Sequence, residues 1–517
     1  MTEALGTETE LIPAFYRHSA LPECAGNPLI EALPPLRTGE EMVPHFGRKP
    51  PFDETERLLP TTHRMLCVSR LNNYLVMMPT HAHIIEQIGL LIHSGYMHRN
   101  PTLPKFKKSL VEFYRQNMEG TIRAIESSGP STAPSFSLFG VSGVGKSTAV
   151  ERALSFYPQA LSHVDHGILQ LVWIKVDCPM DGSLKQLLIS IIAKIDAILG
   201  TNHQQEIGRT STIDKLILDV AKIAAQHHLG VLIVDEIQHL LDAPGIGPAK
   251  MLNFFVTFAN EVKIPFAVLG TPKARKFFDT LFREARRLSD HGSTVWDRMA
   301  KGQDWDFFLK ALWRYQWLQK AESLTPELSD AMYTHTQGIN ALVVRLFQLV
   351  QLQAIRGKTE RITAKLINKV AKEKFTLLRP ALDALRSGHP DRIKNFEDLL
   401  ADGIIQLNEQ VDLSKPAQAL RLAEKRLNDE RRRLTSNLLH IGQDPKCVGA
   451  LVEKLFSSPQ ADNIASEQLE ALNRKARSPS TASKLVAIFQ EAQAENRDPI
   501  EALSSAGYFA DFEEKMT

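Results

Sequence analysis

The 517-residue chain reads as an α/β fold: a P-loop core on a parallel sheet, then a small all-helical lid domain and a helical C-terminal tail. Three observations carry this. Gly140-Val-Ser-Gly-Val-Gly-Lys146-Ser147 fits the pattern G-x-x-x-x-G-K-[ST] at every fixed position, between an apolar run at 136–139 and a helix-compatible stretch at 147–156. Apolar runs then alternate with helical periodicities as far as Gly270, the pattern of a parallel sheet covered on both faces. From about Leu309 the chain reads as all-helical.

In chain order, residues 1–80 form a Pro-rich, irregular arm (Leu33-Pro-Pro-Leu36, Lys49-Pro-Pro-Phe52) suited to wrapping over its own core or docking a partner. Residues 81–130 are a helical lead-in, with helices expected over Ala82–Ser94 and Lys105–Ser127; the second carries Lys107 and Lys108 on a basic face. The core, 131–305, should hold a strand over Leu169–Asp177, a helix from Leu184 stopped by Gly200, a helix over Ile213–His228, a strand at Val231–Val234, a helix over Ala249–Val262 and a strand at Pro265–Gly270. Ser289–Asp304 reads as irregular, and Trp296, Trp305, Trp313 and Trp317 as packing between domains. The lid, 306–378, contains an N-cap with Pro at the first helical position (Thr325-Pro326), an apolar helix over Ile339–Ile355, and a helix capped by Thr363. The tail, 379–517, is polar and helical, with a charge-rich helix at Arg421–Leu434.

Composition narrows the function classes. A hydrophobic share of 43%, a charged share of 23% and a net charge of +2 are ordinary for a globular protein, so any nucleic-acid surface must come from local clustering. Cys24, Cys67, Cys178 and Cys447 form no C-x-x-C pair, which suggests neither a disulfide framework nor a zinc site. The acidic start lacks a signal-peptide core and no apolar run is long enough for a bilayer, so a cytoplasmic protein with no membrane partner is expected.

The chemistry concentrates at strand ends. Gly140, Ser142, Gly143, Val144 and Gly145, with Lys146, Ser147 and Thr148 opening the helix, are expected to cradle phosphates; Lys146 would reach the β- and γ-phosphates and Ser147 would hold Mg²⁺. The apolar run ending in Asp235-Glu236 places a second metal-side carboxylate, Asp235, and a general base, Glu236, beside that loop. Thr271, closing the next strand, is a candidate γ-phosphate sensor, with helix capping as the bland alternative. Arg286 and Arg287 are candidates for an arginine inserted into a neighbouring subunit's site, and Arg345 for one reaching the phosphates from the lid. The cofactors implied are ATP and Mg²⁺.

Together these motifs resemble an AAA+ ATPase. Asn27–Leu36, His93–Pro101, Asp235-Glu-Ile-Gln-His-Leu240, Met251-Leu-Asn-Phe-Phe-Val-Thr257 and Gly270-Thr-Pro-Lys-Ala-Arg275 are similar to one family within it: TnsC, the ATP-dependent regulator of Tn-seven-type transposition, related to TniB. The resemblance spans about 27–395. It implies a homo-oligomer, ring or filament, that assembles with ATP on double-stranded DNA without base readout. It further implies a link from a TnsD- or TniQ-like target selector to TnsA/TnsB-like transposase subunits, with hydrolysis driving disassembly. Lys185 would then face the DNA channel. Two rival readings share the nucleotide motifs: an oligomerising signalling NTPase that does not act on DNA, and a P-loop small-molecule kinase.

Overall fold

The computed structural model describes residues 11–118, 133–206, 211–241, 255, 264–275 and 293–387, with isolated positions beyond 402. The chain divides into units 1–411 and 412–517, and the elements that follow belong to the first.

The N-terminal segment is folded rather than irregular. It runs through β1 (Ile12–Pro13), α1 (Pro28–Glu31), α2 (Gly39–Phe46), α3 (Thr61–Ser69), α4 (Pro79–Met97) and α5 (Pro104–Met118). Asn27 caps α1 by accepting from the Leu29 N–H, and its amide donates to the Tyr96 carbonyl at 3.0 Å. A reciprocal capping box, Thr38 with Glu41, starts α2. Leu29, Met42, Phe46, Ile84, Ile88 and Leu91 are all buried, so the proline-rich stretch covers α4 instead of trailing from it.

The core follows: β2 (Ser135–Phe139), α6 (Lys146–Leu154), β3 (Ala160–His163), β4 (Ile168–Leu171), β5 (Trp173–Asp177), α7 (Leu184–Leu199), α8 (His203–Glu206), α9 (Ile213–Gln226), β6 (Val231–Asp235), β7 (Phe266–Gly270) and β8 (Ser293–Val295). Five strands form a parallel sheet in the order β5-β6-β7-β2-β8. Every residue of β2, β6 and β7 is buried, which is why their sequences are continuously apolar rather than alternating. α7 buries Leu184, Leu187, Leu188, Ile191, Ile192, Ile195 and Ile198; Ser183 caps its start and Gly200, at φ +70°, ends it.

Two expectations are corrected. The run at 169–177 is two strands, not one. β4 pairs antiparallel with β3 in a small second sheet, the chain breaks at Val172, and β5 enters the main sheet. The stretch read as irregular, 289–304, contains β8, which extends the main sheet beside β2 through Ser137↔Ser293 to Phe139↔Val295. The expected helix at 249–262 lies outside the described residues apart from Phe255, which stacks on Phe266.

Beyond the core, α10 (Gln303–Trp313), α11 (Pro326–Thr336), α12 (Asn340–Arg356), α13 (Ala364–Lys374) and α14 (Arg379–Ser387) are the helical region. Thr325 and Thr363 cap α11 and α13 through their hydroxyls. This region shares one hydrophobic core with the N-terminal segment and α6, to which Trp296, Trp305, Trp313 and Trp317 contribute. A buried ion pair joins the two: Arg64 donates to Glu360 through Nη1 and Nη2, at 2.6 and 2.7 Å, and also to the Leu59 and Trp317 carbonyls. The bidentate hydrogen bonds hold the Glu360 carboxyl below the ordinary glutamate pKa despite its burial.

Candidate functional site

The sheet order decides what meets at its carboxyl edge. β7 lies between β2 and β6, so the residues after β2, β6 and β7 face one another. Where β2 ends, the Gly140 N–H donates to the Gly270 carbonyl at 3.1 Å, and the Trp296 N–H donates to the Phe139 carbonyl at 2.7 Å. A Cβ on Gly140 would lie 2.2 Å from the Trp296 carbonyl oxygen, so no side chain fits. Gly143 and Gly145 sit at φ +84° and +110°, in the left-handed region that favours glycine. Gly145 caps α6, whose first backbone N–H groups have no intrahelical acceptor and form a ready anion site. Lys146 is buried in this loop, its Nζ donating to the Gly140 and Val141 carbonyls at 2.7 and 3.2 Å. Val144 is buried, Ser142 and Ser147 are half-buried, and Thr148 is exposed.

At the end of β6, Asp235 is buried. Its Oδ1 accepts the Glu236 N–H at 2.9 Å, and its Oδ2 lies 3.0 Å from Lys175 Nζ. Burial works against the Lys175 charge. The Asp235 charge and hydrogen bonds to Asp235, Asp177 and Glu151 outweigh it and hold the ammonium pKa above the ordinary lysine value. Lys175 was not singled out by sequence reasoning; its only signal is a charged residue inside an otherwise apolar strand. Glu236 adopts φ +54°, uncommon for a residue with a Cβ. Its carboxylate accepts from Gln238 Nε2, and Gln238 Oε1 accepts the Thr271 N–H at 3.2 Å. Thr271 Oγ1 is buried and has no hydrogen-bond partner among the described residues.

A cavity of about 250 Å³ adjoins the loop, lined by Tyr74, His81, Gly143, Thr148, Phe308 and Arg345 among others. It lies where the N-terminal segment, the P-loop and the helical region meet. Arg345 Nη1 donates to Asn72 Oδ1 at 2.5 Å and Gln348 Oε1 at 2.9 Å. It therefore belongs to the cavity wall on the side of the N-terminal segment. Burial pushes the His81 pKa down to about 4, which keeps that imidazole neutral. The Ala341 N–H donates to the Gly143 carbonyl at 3.0 Å, binding the start of α12 to the loop itself.

These groups suit a nucleoside triphosphate. Left-handed glycines, a helix N-terminus and a buried lysine meet phosphate oxygens, and the unpartnered Thr271 hydroxyl has donor and acceptor capacity to spare. The Ser147 hydroxyl and Asp235 carboxylate are hard oxygen donors of the kind Mg²⁺ takes. Arg286 and Arg287 lie outside the described residues. Lys107 and Lys108 are exposed on α5, and Lys185 is half-buried in the first turn of α7; none of the three joins the strand-end cluster.

Residues 129–278 match the family model described as AAA domain. Comparison with curated proteins gives no match. Among solved structures, the chain is similar to the Aeropyrum pernix Orc1 protein in complex with DNA, at 16% identity and TM-score 0.33, covering 57% of this chain and 71% of that one. It is similar to the Walker-type ATPase of Pyrococcus abyssi at 13% identity and TM-score 0.33, covering 75% and 97%. For Drosophila ORC bound to AT-rich DNA and Cdc6 the values are 12%, 0.28, 89% and 70%. Residues 129–278 are a P-loop AAA+ domain.

Proposed function

We propose that the protein is an ATPase whose nucleotide state controls assembly on duplex DNA, acting as a regulator of transposition. The observation that carries the ATPase part is the convergence of the P-loop, Asp235-Glu236 and Thr271 at one sheet edge, with a buried threonine hydroxyl left unbonded there. In this reading the P-loop and Lys146 bind the triphosphate, the 250 Å³ cavity takes the base, and Ser147 and Asp235 hold Mg²⁺. The metal supplies charge neutralisation at the β- and γ-phosphates. Glu236 accepts a proton from the attacking water, and Thr271 hydrogen-bonds the γ-phosphate side. Arg345 lines the base end, and Arg286 or Arg287 completes the site from a neighbouring copy.

Support for transposition comes from the sequence: the TnsC-like wording of Asp235–Leu240, Met251–Thr257 and Gly270–Arg275, all within or beside the nucleotide motifs. The partners are then double-stranded DNA, a target selector and transposase subunits. The DNA contact runs through phosphates and weakens with salt, with Lys107, Lys108 and Lys185 as candidate cations. Electron microscopy with a slowly hydrolysed ATP analogue and duplex DNA tests this. Ordered oligomers on DNA that require both components are expected; DNA left bare with the analogue present overturns it.

A further inference from the structure

Gln238 spans two strand ends. Its amide nitrogen donates to Glu236, just after β6, and its amide oxygen accepts the Thr271 N–H, just after β7. The two partners fix the amide's orientation, because a carboxylate only accepts and a backbone N–H only donates. Gln238 is buried, and its bond to the Thr271 N–H is shielded from water. The approach is close: a Cβ on Gly270 would sit 2.7 Å from Ile237 Cγ2 and 3.3 Å from Gln238 Oε1, crowding the turn that carries the amide. Glu236 cannot find its position by rotamer choice alone, since its backbone is already at φ +54°, with its own N–H drawn onto Asp235.

We propose that Gln238 is the positioning residue for the general base. It anchors Glu236 Oε2 and leaves Oε1, which has no partner among the described residues, to accept the proton of the attacking water. Because the same amide holds the Thr271 N–H, one side chain ties the base to the backbone that carries Thr271. This rests on the hydrolysis reading above.

Gln238→Glu separates the two bonds: it keeps an acceptor for the Thr271 N–H and replaces the donor facing Glu236 with a like charge. The measurements are steady-state ATP turnover, affinity for a fluorescent ATP analogue and thermal melting, for Q238E, Q238L, E236Q and E236Q/Q238E. Q238E and Q238L are expected to lower kcat about tenfold or more, with KM and analogue affinity within about twofold. E236Q/Q238E is expected to turn over no more slowly than E236Q, because Q238E keeps the acceptor for the Thr271 N–H and the donor it loses acts only through Glu236. A kcat for Q238E within twofold of wild type, or a further tenfold loss in the double variant, overturns the proposal. Wild-type protein without turnover, or E236Q at the wild-type rate, overturns the hydrolysis reading instead.

Discussion

Two clusters of buried polar groups flank the same core and are finished differently. On the small second sheet, Tyr16 Oη bonds His163 Nδ1 at 3.0 Å, His163 Nε2 bonds Gln170 Oε1 at 2.8 Å, and Gln170 Nε2 donates to the Leu29 carbonyl at 2.9 Å. Each bond in that chain is made within the protein, and it fastens the N-terminal segment across more than a hundred residues of sequence. At the carboxyl edge of the main sheet, Thr271 Oγ1 is buried without a partner, Glu236 holds a left-handed backbone, and two glycines turn the P-loop. The first network is complete within the protein; the second leaves a buried hydroxyl at a strand end with hydrogen-bonding capacity for a ligand.

That contrast makes testable demands. The largest effect is expected from Lys146→Ala, which removes the buried ammonium of the P-loop. Nucleotide affinity should fall on the order of 100-fold, read by fluorescent-analogue titration, while melting falls modestly because the Gly140 and Val141 carbonyls lose their donor. Arg64→Met strands the Glu360 carboxylate in the interior and should cost about 3–5 kcal/mol in denaturant unfolding without touching the nucleotide site. Gln170→Leu leaves the Leu29 carbonyl and His163 without their partner. It should cost about 1–3 kcal/mol while leaving ATP affinity alone.

Acid should act on the buried histidines too. Burial lowers the pKa of His81 and of His93 to about 4 in the folded protein. The unfolded chain therefore binds these protons first as pH falls. Stability should be full above about pH 6.5 and drain between 6.5 and 4, by an amount on the order of 1–2 kcal/mol per histidine by pH 5, measured as melting against pH. The smallest effect on stability, within about 0.5 kcal/mol, is expected from Thr271→Val, because the hydroxyl it removes has no partner to lose. Its turnover should nonetheless drop. A Thr271→Val variant that melts several degrees lower and hydrolyses ATP normally would reverse the comparison.

The difference between the clusters also sets what could be read from the sequence. The P-loop is contiguous, and its loop, helix and flanking strand are local, so Gly140–Ser147 announces its own geometry. α7 was legible because the apolar spacing and Gly200 agree. β8 was not: three residues, Ser293, Thr294 and Val295, carry no pattern, and only pairing with β2 makes them a strand. The split at Val172 was hidden because an apolar run says that a segment is buried, not which sheet buries it. The Val172 N–H leaves the ladder for the Gln159 carbonyl. Lys175 and Gln238 escaped notice for a related reason. Their partners lie on neighbouring strands, and strand order is a property of the whole domain. The Tyr16–His163–Gln170 chain is the extreme case, since nothing near Tyr16 in the sequence points to residue 163.

The most direct test of the account is thermal melting with and without Mg-ATP. A ligand that binds only the folded state stabilises it by about 2.7 kcal/mol at a concentration 100 times its Kd. The wild-type protein should melt several degrees higher with Mg-ATP, and Lys146→Ala should show no shift. An absent shift in the wild type, or an equal shift in both, would contradict the claim that the strand-end cluster is kept open for a nucleotide.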